Sequence, residues 1–379
     1  MSVTLGDGSA GLTARHLLHV YPTFAVGGSQ MRLCAILNHF GPRWRHSIVA
    51  LNGDVACRAH LAKHVPATFP AVMLPKGATL ANVRRIRALL GAMRPDMVIT
   101  SNWGSIEWAM ANRGLGIGHL HVEDGFGPEE QDRQLRRRVW TRRLALAGRD
   151  VVVPSRTLER IALGVWRLAR QRVLHVPNGI DLGRFDRGGM PGGDGPVIGT
   201  VATLRAEKNV GRLLRAFAMI DPGLRARLVI VGDGPERAAL EGVARELGVA
   251  ARVVFAGHHR DPSGFYARFD VFALSSDTEQ MPLSVLEAMA AGLPVVATAV
   301  GDVRAMLTPG NAQWVCARED GALAAALRDA LGDAEGRAAA GAANRDKAVR
   351  EYGQEAMFAA YGALFDGMPR WTGASSPRA

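Results

Sequence analysis

The sequence predicts an α/β protein made of two Rossmann-like, doubly wound domains facing a cleft. Three observations carry this reading. Short apolar runs alternate with stretches of helical length along most of the chain. The composition breaks once, near the middle, at a Gly/Pro-rich stretch. The length, 379 residues, exceeds what one core ordinarily fills, about 250–300 residues. Such alternation implies parallel sheets covered by helices on both faces.

The elements follow in order. MSVTLGDGSAGLTAR (1–15) is Gly/Ser/Thr-rich and reads as a flexible start. The first domain, 16–185, has strands expected at 16–20, 47–51, 97–100 and 150–153, with helices at 28–39, 82–93 and 158–168. DRGGMPGGDGP (186–196) holds five glycines and two prolines, cannot bury a core, and reads as a linker. The second domain, 197–342, has strands expected at 197–201, 228–231, 253–255, 271–274 and 294–297, and helices at 210–219, 235–247 and 282–291. A C-terminal helix at 343–366, returning to the first domain, and a polar flexible tail at 367–379 complete the chain.

Composition excludes several classes. Hydrophobic residues make up 48%, which rules out global disorder. Cys34, Cys57 and Cys316 are too few for a disulfide framework, and no spacing suits zinc. No window reaches the ~20 apolar residues of a spanning helix; the most apolar, 281–300, contains Glu287, Gly292 and Pro294. No basic stretch leads into an apolar one at the start, so no export signal is expected and the location read is cytoplasmic. The net charge of +11 is nearly all arginine, since only Lys63, Lys76, Lys208 and Lys347 are lysines, and it favours anionic partners.

The most informative stretch is SSDTEQMPLSVLEAMAAGLPVVAT. A strand ends, a loop carries Glu279, and Pro282 is expected as the first residue of a helix, where its missing N–H is no loss. Glu287 follows in the second turn of that helix. The helix N-terminus is a seat for phosphate, and the flanking carboxylates suit the vicinal hydroxyls of a sugar and a ribose. A capping Glu279 and a solvated Glu287 are the plain alternative.

In GTVATLRAEKN, Arg205 and Lys208 lie between a strand and the helix after it, where cations suit a diphosphate; two surface cations would look the same. LVIVGDGPER resembles a dinucleotide turn, but after Gly232 and Gly234 the third glycine is missing, and a tight turn explains the pair. Gly27 and Gly28 in VGGSQ would let backbone approach a phosphate or sugar closely, or simply start a helix. HLHVEDGFGPEE concentrates His119, His121, Glu123 and Asp124 in what reads as a polar, Gly-rich loop, although His119 also fits a buried strand. None of the twenty aspartates forms Asp-x-Asp, so no metal is expected to bridge a diphosphate. No G-x-x-x-x-G-K-[ST] or G-x-S-x-G motif occurs, which removes P-loop and α/β-hydrolase readings.

In this order and at these distances the motifs resemble the retaining glycosyltransferases of the GT-B fold, family 4. The likeness runs from VPNGID to GLPVVAT in the second half, and VYPTFAVGGSQ, RPDMVITSNWGSIEWA and HVEDGFGP are similar to that family's first domain. The resemblance implies that Arg205 and Lys208 hold the donor diphosphate. Glu279 would bind sugar hydroxyls, with Met281, Pro282, Leu283 and Ser284 near the phosphates. Glu287 would bind the ribose, Gly27 and Gly28 would approach the donor, and His121 would stand beside the reacting sugar. One departure is Gln280-Met281, where related sequences often carry Gly-Phe.

The implied reaction moves a hexose-type sugar from a nucleotide diphosphate sugar to a hydroxyl acceptor with retention, without metal or other cofactor, in bacterial cell-surface polysaccharide, lipopolysaccharide or glycolipid synthesis. The loop around residues 257–261 is the expected base pocket. Residues 133–149 (RQLRRRVWTRRLALAGR) hold seven arginines and no acid, interleaved with Leu135, Val139, Trp140 and Leu144. A basic amphipathic helix of this kind suits the inner face of an anionic membrane and a saccharide or lipid-linked saccharide acceptor, or is a solvated face. No nucleic-acid-binding motif accompanies it. A nucleotide-sugar 2-epimerase of the same fold, an NAD-dependent oxidoreductase and a non-catalytic binding protein are the competing readings.

Overall fold

The computed structural model describes residues 14–75, 77–130, 133–185 and 195–367. The expected flexible start at 1–15, linker at 186–196 and tail at 367–379 lie almost wholly outside the described residues. By its internal contacts the chain divides into two compact units. Met1–Val26, Gln30–Leu120 and Gly362–Ala379 form one; Gly27–Ser29 and His121–Tyr361 form the other.

Among the described residues there are two parallel sheets. The first contains β1 (His16–Tyr21), β2 (Arg45–Ala50), β3 (Ala67–Thr68), β4 (Met97–Ser101), β5 (Gly118–Val122), β6 (Asp150–Val153) and β7 (Val173–His175), in the order β3-β2-β1-β4-β5-β6-β7. The second contains β8 (Val197–Val201), β9 (Arg227–Val231), β10 (Val253–Gly257), β11 (Val271–Leu274), β12 (Val295–Thr298) and β13 (Val315–Cys316), in the order β10-β9-β8-β11-β12-β13. The direction of winding reverses between β1 and β4 and between β8 and β11. In open parallel sheets, ligands sit beyond the strand carboxyl ends at such points.

The helices are α1 (Gly28–Phe40), α2 (Thr79–Met93), α3 (Ile106–Ala111), α4 (Arg136–Leu146), α5 (Arg156–Gly164), α6 (Val210–Ala218), α7 (Arg237–Glu246), α8 (Ser263–Tyr266), α9 (Leu283–Ala290), α10 (Val303–Met306), α11 (Pro309–Ala312), α12 (Asp320–Gly332), α13 (Ala334–Glu351) and α14 (Gln354–Phe365). Strand β11 shows why both faces of its sheet need covering. Val271 and Ala273 enter a core with Leu213, Leu214 and Phe217 of α6 and Leu323 and Leu327 of α12. Phe272 and Leu274 enter the opposite core with Val285, Leu286 and Met289 of α9. Period-two alternation therefore fills two cores at once, and the strand reads as continuously apolar.

Three expectations change. The C-terminal helix at 343–366 is two helices, α13 and α14, broken at Tyr352–Gly353. The break is held from outside, because Ile180 N–H donates to the Tyr352 carbonyl and Gln354 N–H to the Ile180 carbonyl. Second, His119 and His121 lie on the buried strand β5 rather than in a loop. Both point to one face, two residues apart, and His119 Nε2 lies 3.0 Å from Thr100 Oγ1. Third, Pro282 is the N-cap of α9, one position before the helix, with extended backbone at ψ 127°.

The glycines at 232 and 234 are explained by close packing. A Cβ at Gly232 would lie 1.9 Å from the Ala202 carbonyl oxygen, and one at Gly234 would lie 2.4 Å from that of Leu204. Within the first unit, Phe365 packs edge-on against His19 and Trp44, and Asp366 accepts from the Arg43 guanidinium and the Trp44 indole.

Candidate functional site

Every residue singled out as a donor or catalytic group lies in the second unit, which includes Gly27 and Gly28 as well as His121. The site is built where the winding of the second sheet reverses. The loop after β8 and the loop after β11 lie side by side there and are stitched together. Asp277 N–H donates to the Glu207 carbonyl, Ser275 Oγ to the Lys208 carbonyl, and Asn209 Nδ2 to Asp277 Oδ2. Asn209 takes a left-handed conformation (φ 41°), which asparagine tolerates better than most residues, and its Oδ1 caps α6 by accepting from Arg212 N–H. Arg212, on α6, pairs with Asp277 at 2.7 Å and donates to the Ser275 carbonyl.

This stitching sets Lys208 against Glu279. Lys208 Nζ donates to Glu279 Oε1 at 2.5 Å, and Ser276 Oγ donates to the same oxygen at 2.8 Å. The pair is mostly buried, with 26% and 11% of the side chains exposed. One carboxylate oxygen takes both bonds, while Oε2 has no partner among the described residues. Arg205 differs from Lys208: its guanidinium is exposed and, among the described residues, makes no hydrogen bond or ion pair.

Glu279 is followed by the start of α9. No side chain caps this helix, and with Val285 N–H donating to the Pro282 carbonyl, the N–H groups of Leu283 and Ser284 are the ones open to an anion among the described residues. Met281 is buried, its carbonyl accepting from Asn178 Nδ2 at 2.8 Å. Leu283 and Ser284 are half-buried at the helix start, and a Cβ at Gly28 would lie 3.6 Å from Leu283 Cδ1, so the glycine at the head of α1 closes on the head of α9. Glu287 accepts from the Tyr266 hydroxyl at 2.5 Å through Oε2, leaving Oε1 without a partner. Burial raises the Glu287 carboxyl above its ordinary range, and the Tyr266 hydrogen bond works against that rise. Tyr266 is fully buried and its phenol is pushed well up, by burial first and then by Glu287.

His121 is fully buried at the carboxyl end of β5, with Nε2 3.5 Å from Glu123 Oε2. Glu123 also accepts from Arg142 Nε at 3.2 Å, and Arg142 reaches Glu130 at 3.2 Å; all three are buried. The Arg142 guanidinium lies over the Phe126 and Trp166 rings, 5.2 and 5.0 Å from their centroids, and the two rings meet edge-on. The expected basic helix at 133–149 is thus shorter, 136–146, and one of its arginines faces inward because two buried carboxylates need a cation. Arg138 pairs with Glu129 and Glu130. The outward face keeps Arg133, Arg136 and Arg137 beside Trp140 and Leu144, which are 58% and 68% exposed. A surface cavity of about 460 Å³ opens there, lined by Arg133, Arg136, Val139, Trp140 and Arg143 among others.

The sequence contains Tyr266, Ser276, Asn209 and Asp277 without marking them. Each is polar and unremarkable in its own segment; the adjacency of β8 and β11 joins Asn209 to Asp277, the packing of α8 on α9 brings Tyr266 to Glu287, and Ser276 meets Glu279 within its own loop. In the loop after β10, Asp261 pairs with Arg184 at 2.8 Å, and the His259 and Phe265 rings meet at 4.5 Å.

Comparison with known proteins gives a consistent result. Residues 26–184 match the family described as Glycosyltransferase Family 4, and residues 188–347 match Glycosyl transferases group 1. The chain is 32% identical over 339 residues to a D-inositol 3-phosphate glycosyltransferase of Actinosynnema mirum, covering 76% of this chain and 77% of the relative. It is 33% identical over 265 residues to a GDP-mannose-dependent alpha-mannosyltransferase of Mycobacterium tuberculosis, covering 63% and 66% of the two chains. Anabaena HepE in complex with UDP and glucose shares the fold, with a TM-score of 0.77 at 18% identity over 93% of this chain and 100% of that one. So does WaaG, a glycosyltransferase involved in lipopolysaccharide biosynthesis, with a TM-score of 0.68 at 20% identity over the same shares.

Proposed function

The chain belongs to the family 4 glycosyltransferases of the GT-B fold, and from that premise we propose that it moves a hexose-type sugar from a nucleoside diphosphate sugar to a hydroxyl acceptor with retention of anomeric configuration. The observation that carries the donor assignment is the arrangement around the head of α9: a lysine–glutamate pair, an unpaired arginine, uncapped N–H groups and a second glutamate with one oxygen unused.

In this reading Glu279 Oε2 accepts from sugar hydroxyls and Glu287 Oε1 from the ribose. Arg205, Lys208 and the first-turn amides of Leu283 and Ser284 meet the diphosphate, with Met281 and Pro282 shaping the approach and Gly27 and Gly28 closing on it. Negative charge grows on the leaving diphosphate as the sugar becomes oxocarbenium-like, and preorganised cations and amides stabilise that growth. His121 stands beside the reacting sugar. Attack comes from the face the diphosphate leaves, a phosphate oxygen taking the acceptor proton, so no carboxylate nucleophile is required. The lack of any Asp-x-Asp supports charge neutralisation by these groups without a divalent ion.

The acceptor is a saccharide or lipid-linked saccharide, met at the cytoplasmic face of an anionic membrane through Arg133, Arg136, Arg137, Trp140 and Leu144. Among the described residues no helix is long and apolar enough to cross a membrane. Failure to co-sediment with anionic vesicles at low salt would remove this contact. The donor reading is tested by following nucleoside diphosphate release, with EDTA present, from UDP-, GDP- and ADP-sugars. Release from one donor class, with the anomeric configuration kept in the product by NMR, is expected. Release only on adding a divalent ion overturns the metal-free part, and release from no sugar nucleotide overturns the whole.

A further inference from the structure

Gln280 follows Glu279 on the loop after β11 and is held by Ser155, Gly125 and Asp302 more tightly than a half-buried surface glutamine requires. Ser155 Oγ, fully buried, accepts from Leu158 N–H at 3.1 Å as the cap of α5 and lies 3.2 Å from Gln280 Oε1. While accepting from the helix, the hydroxyl donates its proton to Gln280 Oε1, which sets the carboxamide with oxygen toward Ser155 and nitrogen away. The stem is fixed as well. A Cβ at Gly125 would lie 3.1 Å from Gln280 Cγ, so the glutamine packs where residue 125 has no side chain. The backbone is tied down by Asp302, whose N–H donates to the Gln280 carbonyl at 2.9 Å.

Asp302 in turn caps the same helix. Its carboxylate accepts from Arg156 N–H, and from Thr157 N–H at 3.0 Å and Thr157 Oγ1 at 2.6 Å. The first turn of α5 and the residue after Glu279 therefore form one rigid assembly. Ordering a glutamine side chain costs more than one neutral hydrogen bond returns. Gln280 Nε2 has two N–H donors and, among the described residues, no hydrogen-bond partner.

The geometry points to Gln280 as a specificity-determining residue: its Nε2 donates to an oxygen of the transferred sugar, beside Glu279 Oε2, which accepts from a neighbouring hydroxyl. This rests on the donor reading above and goes beyond it. An acceptor and a donor on adjacent residues, each with a fixed orientation, read one arrangement of ring hydroxyls and disfavour its epimer. Ser155 acts as a positioning residue, through Gln280.

The test compares donor ranking in the wild type, Gln280→Glu, Gln280→Met and Ser155→Ala, using hydrolytic release from UDP-glucose, UDP-galactose, GDP-mannose and GDP-glucose, with UDP and GDP binding measured in parallel. Gln280→Glu keeps an oxygen for Ser155 and replaces the donor with an acceptor. The ratio of kcat/KM between epimeric donors is expected to change about tenfold or more in both Gln280 variants, and by a smaller factor in Ser155→Ala, while free nucleotide binding holds. Equal loss for every donor, with the ratio unchanged, would assign Gln280 to scaffolding and overturn the proposal. Failure of the underlying donor reading shows separately, as a wild type that releases nothing from any of the four, and it overturns the proposal too.

Discussion

Lys208 and Glu279, 71 residues apart in sequence, meet at 2.5 Å between Nζ and Oε1. They are on the loops that follow two neighbouring strands, β8 and β11, at the point where the sheet changes its direction of winding. The pair places a cation whose charge is only partly spent beside a carboxylate with one free oxygen, at the head of an uncapped helix.

Replacing Lys208 with alanine removes the cation that the proposed mechanism sets against the leaving diphosphate. Turnover at saturating donor is expected to fall about 10²–10³-fold, in the range of lost oxyanion-type stabilisation, while binding of free nucleoside changes little. Steady-state kinetics with a calorimetric titration check this. Unchanged turnover would remove Lys208 from the mechanism.

Tyr266→Phe leaves the Glu287 carboxylate without its internal donor. The hydroxyl opposes the burial that raises this carboxyl, so its loss raises the pKa further. Donor affinity is expected to drop roughly tenfold at neutral pH. Protonation removes the charge that strengthens acceptance and turns one carboxyl oxygen into a donor, so affinity also falls as pH decreases, with a midpoint at higher pH in the variant than in the wild type. Identical pH profiles would contradict this role.

Arg142 is the cation for two buried carboxylates, Glu123 and Glu130. Arg142→Met leaves both without it, and a loss of about 3–5 kcal/mol is expected in urea denaturation. A shift below about 1 kcal/mol would mean that the network adds little to the fold.

Acid weakens the first unit through its histidines. His46 Nδ1 lies 3.1 Å from His19 Nε2, and both rings are buried, with His19 Nδ1 and His46 Nε2 lacking partners. Burial, and then the charge of neighbouring His16, depress His46 from 6.5 to about 4, and His19 is held well below its ordinary value. The unfolded chain takes up these protons below about pH 6.5 while the folded chain refuses them. Stability is therefore full above 6.5 and falls as pH drops toward 4, by on the order of 3 kcal/mol for His46. Denaturation midpoints across pH 4–8, in the wild type and His46→Gln, measure it; a loss of equal size in both would exclude His46 as the cause.

Much of this was legible in the sequence. Strands at 150–153, 197–201 and 271–274 and a helix from Gly28 follow from apolar runs bounded by turn residues. Glu279, Glu287, Arg205 and Lys208 stand out because charged residues at strand ends and helix starts have a physical use there. The hidden parts depend on distance in sequence. Nothing local marks Tyr266 as the partner of Glu287, Asp302 as the cap of a helix begun 146 residues earlier, or Arg142 as buried in a run of exposed arginines. The polar stretch around His119 and His121 hides a buried strand because the two Nε2 atoms find Thr100 and Glu123 inside. Strands of two or three residues, such as β3, β7 and β13, are too short to show a period.

The most direct test of the donor assignment is a thermal-shift titration with UDP-, GDP- and ADP-sugars and NAD, without added metal. Ligand at about 100 times its dissociation constant contributes about 2.7 kcal/mol, a shift that is easily read. The account predicts stabilisation by one sugar nucleotide, lost in Arg205→Ala and in Glu287→Gln. Stabilisation by NAD alone, or by none of them, would contradict it.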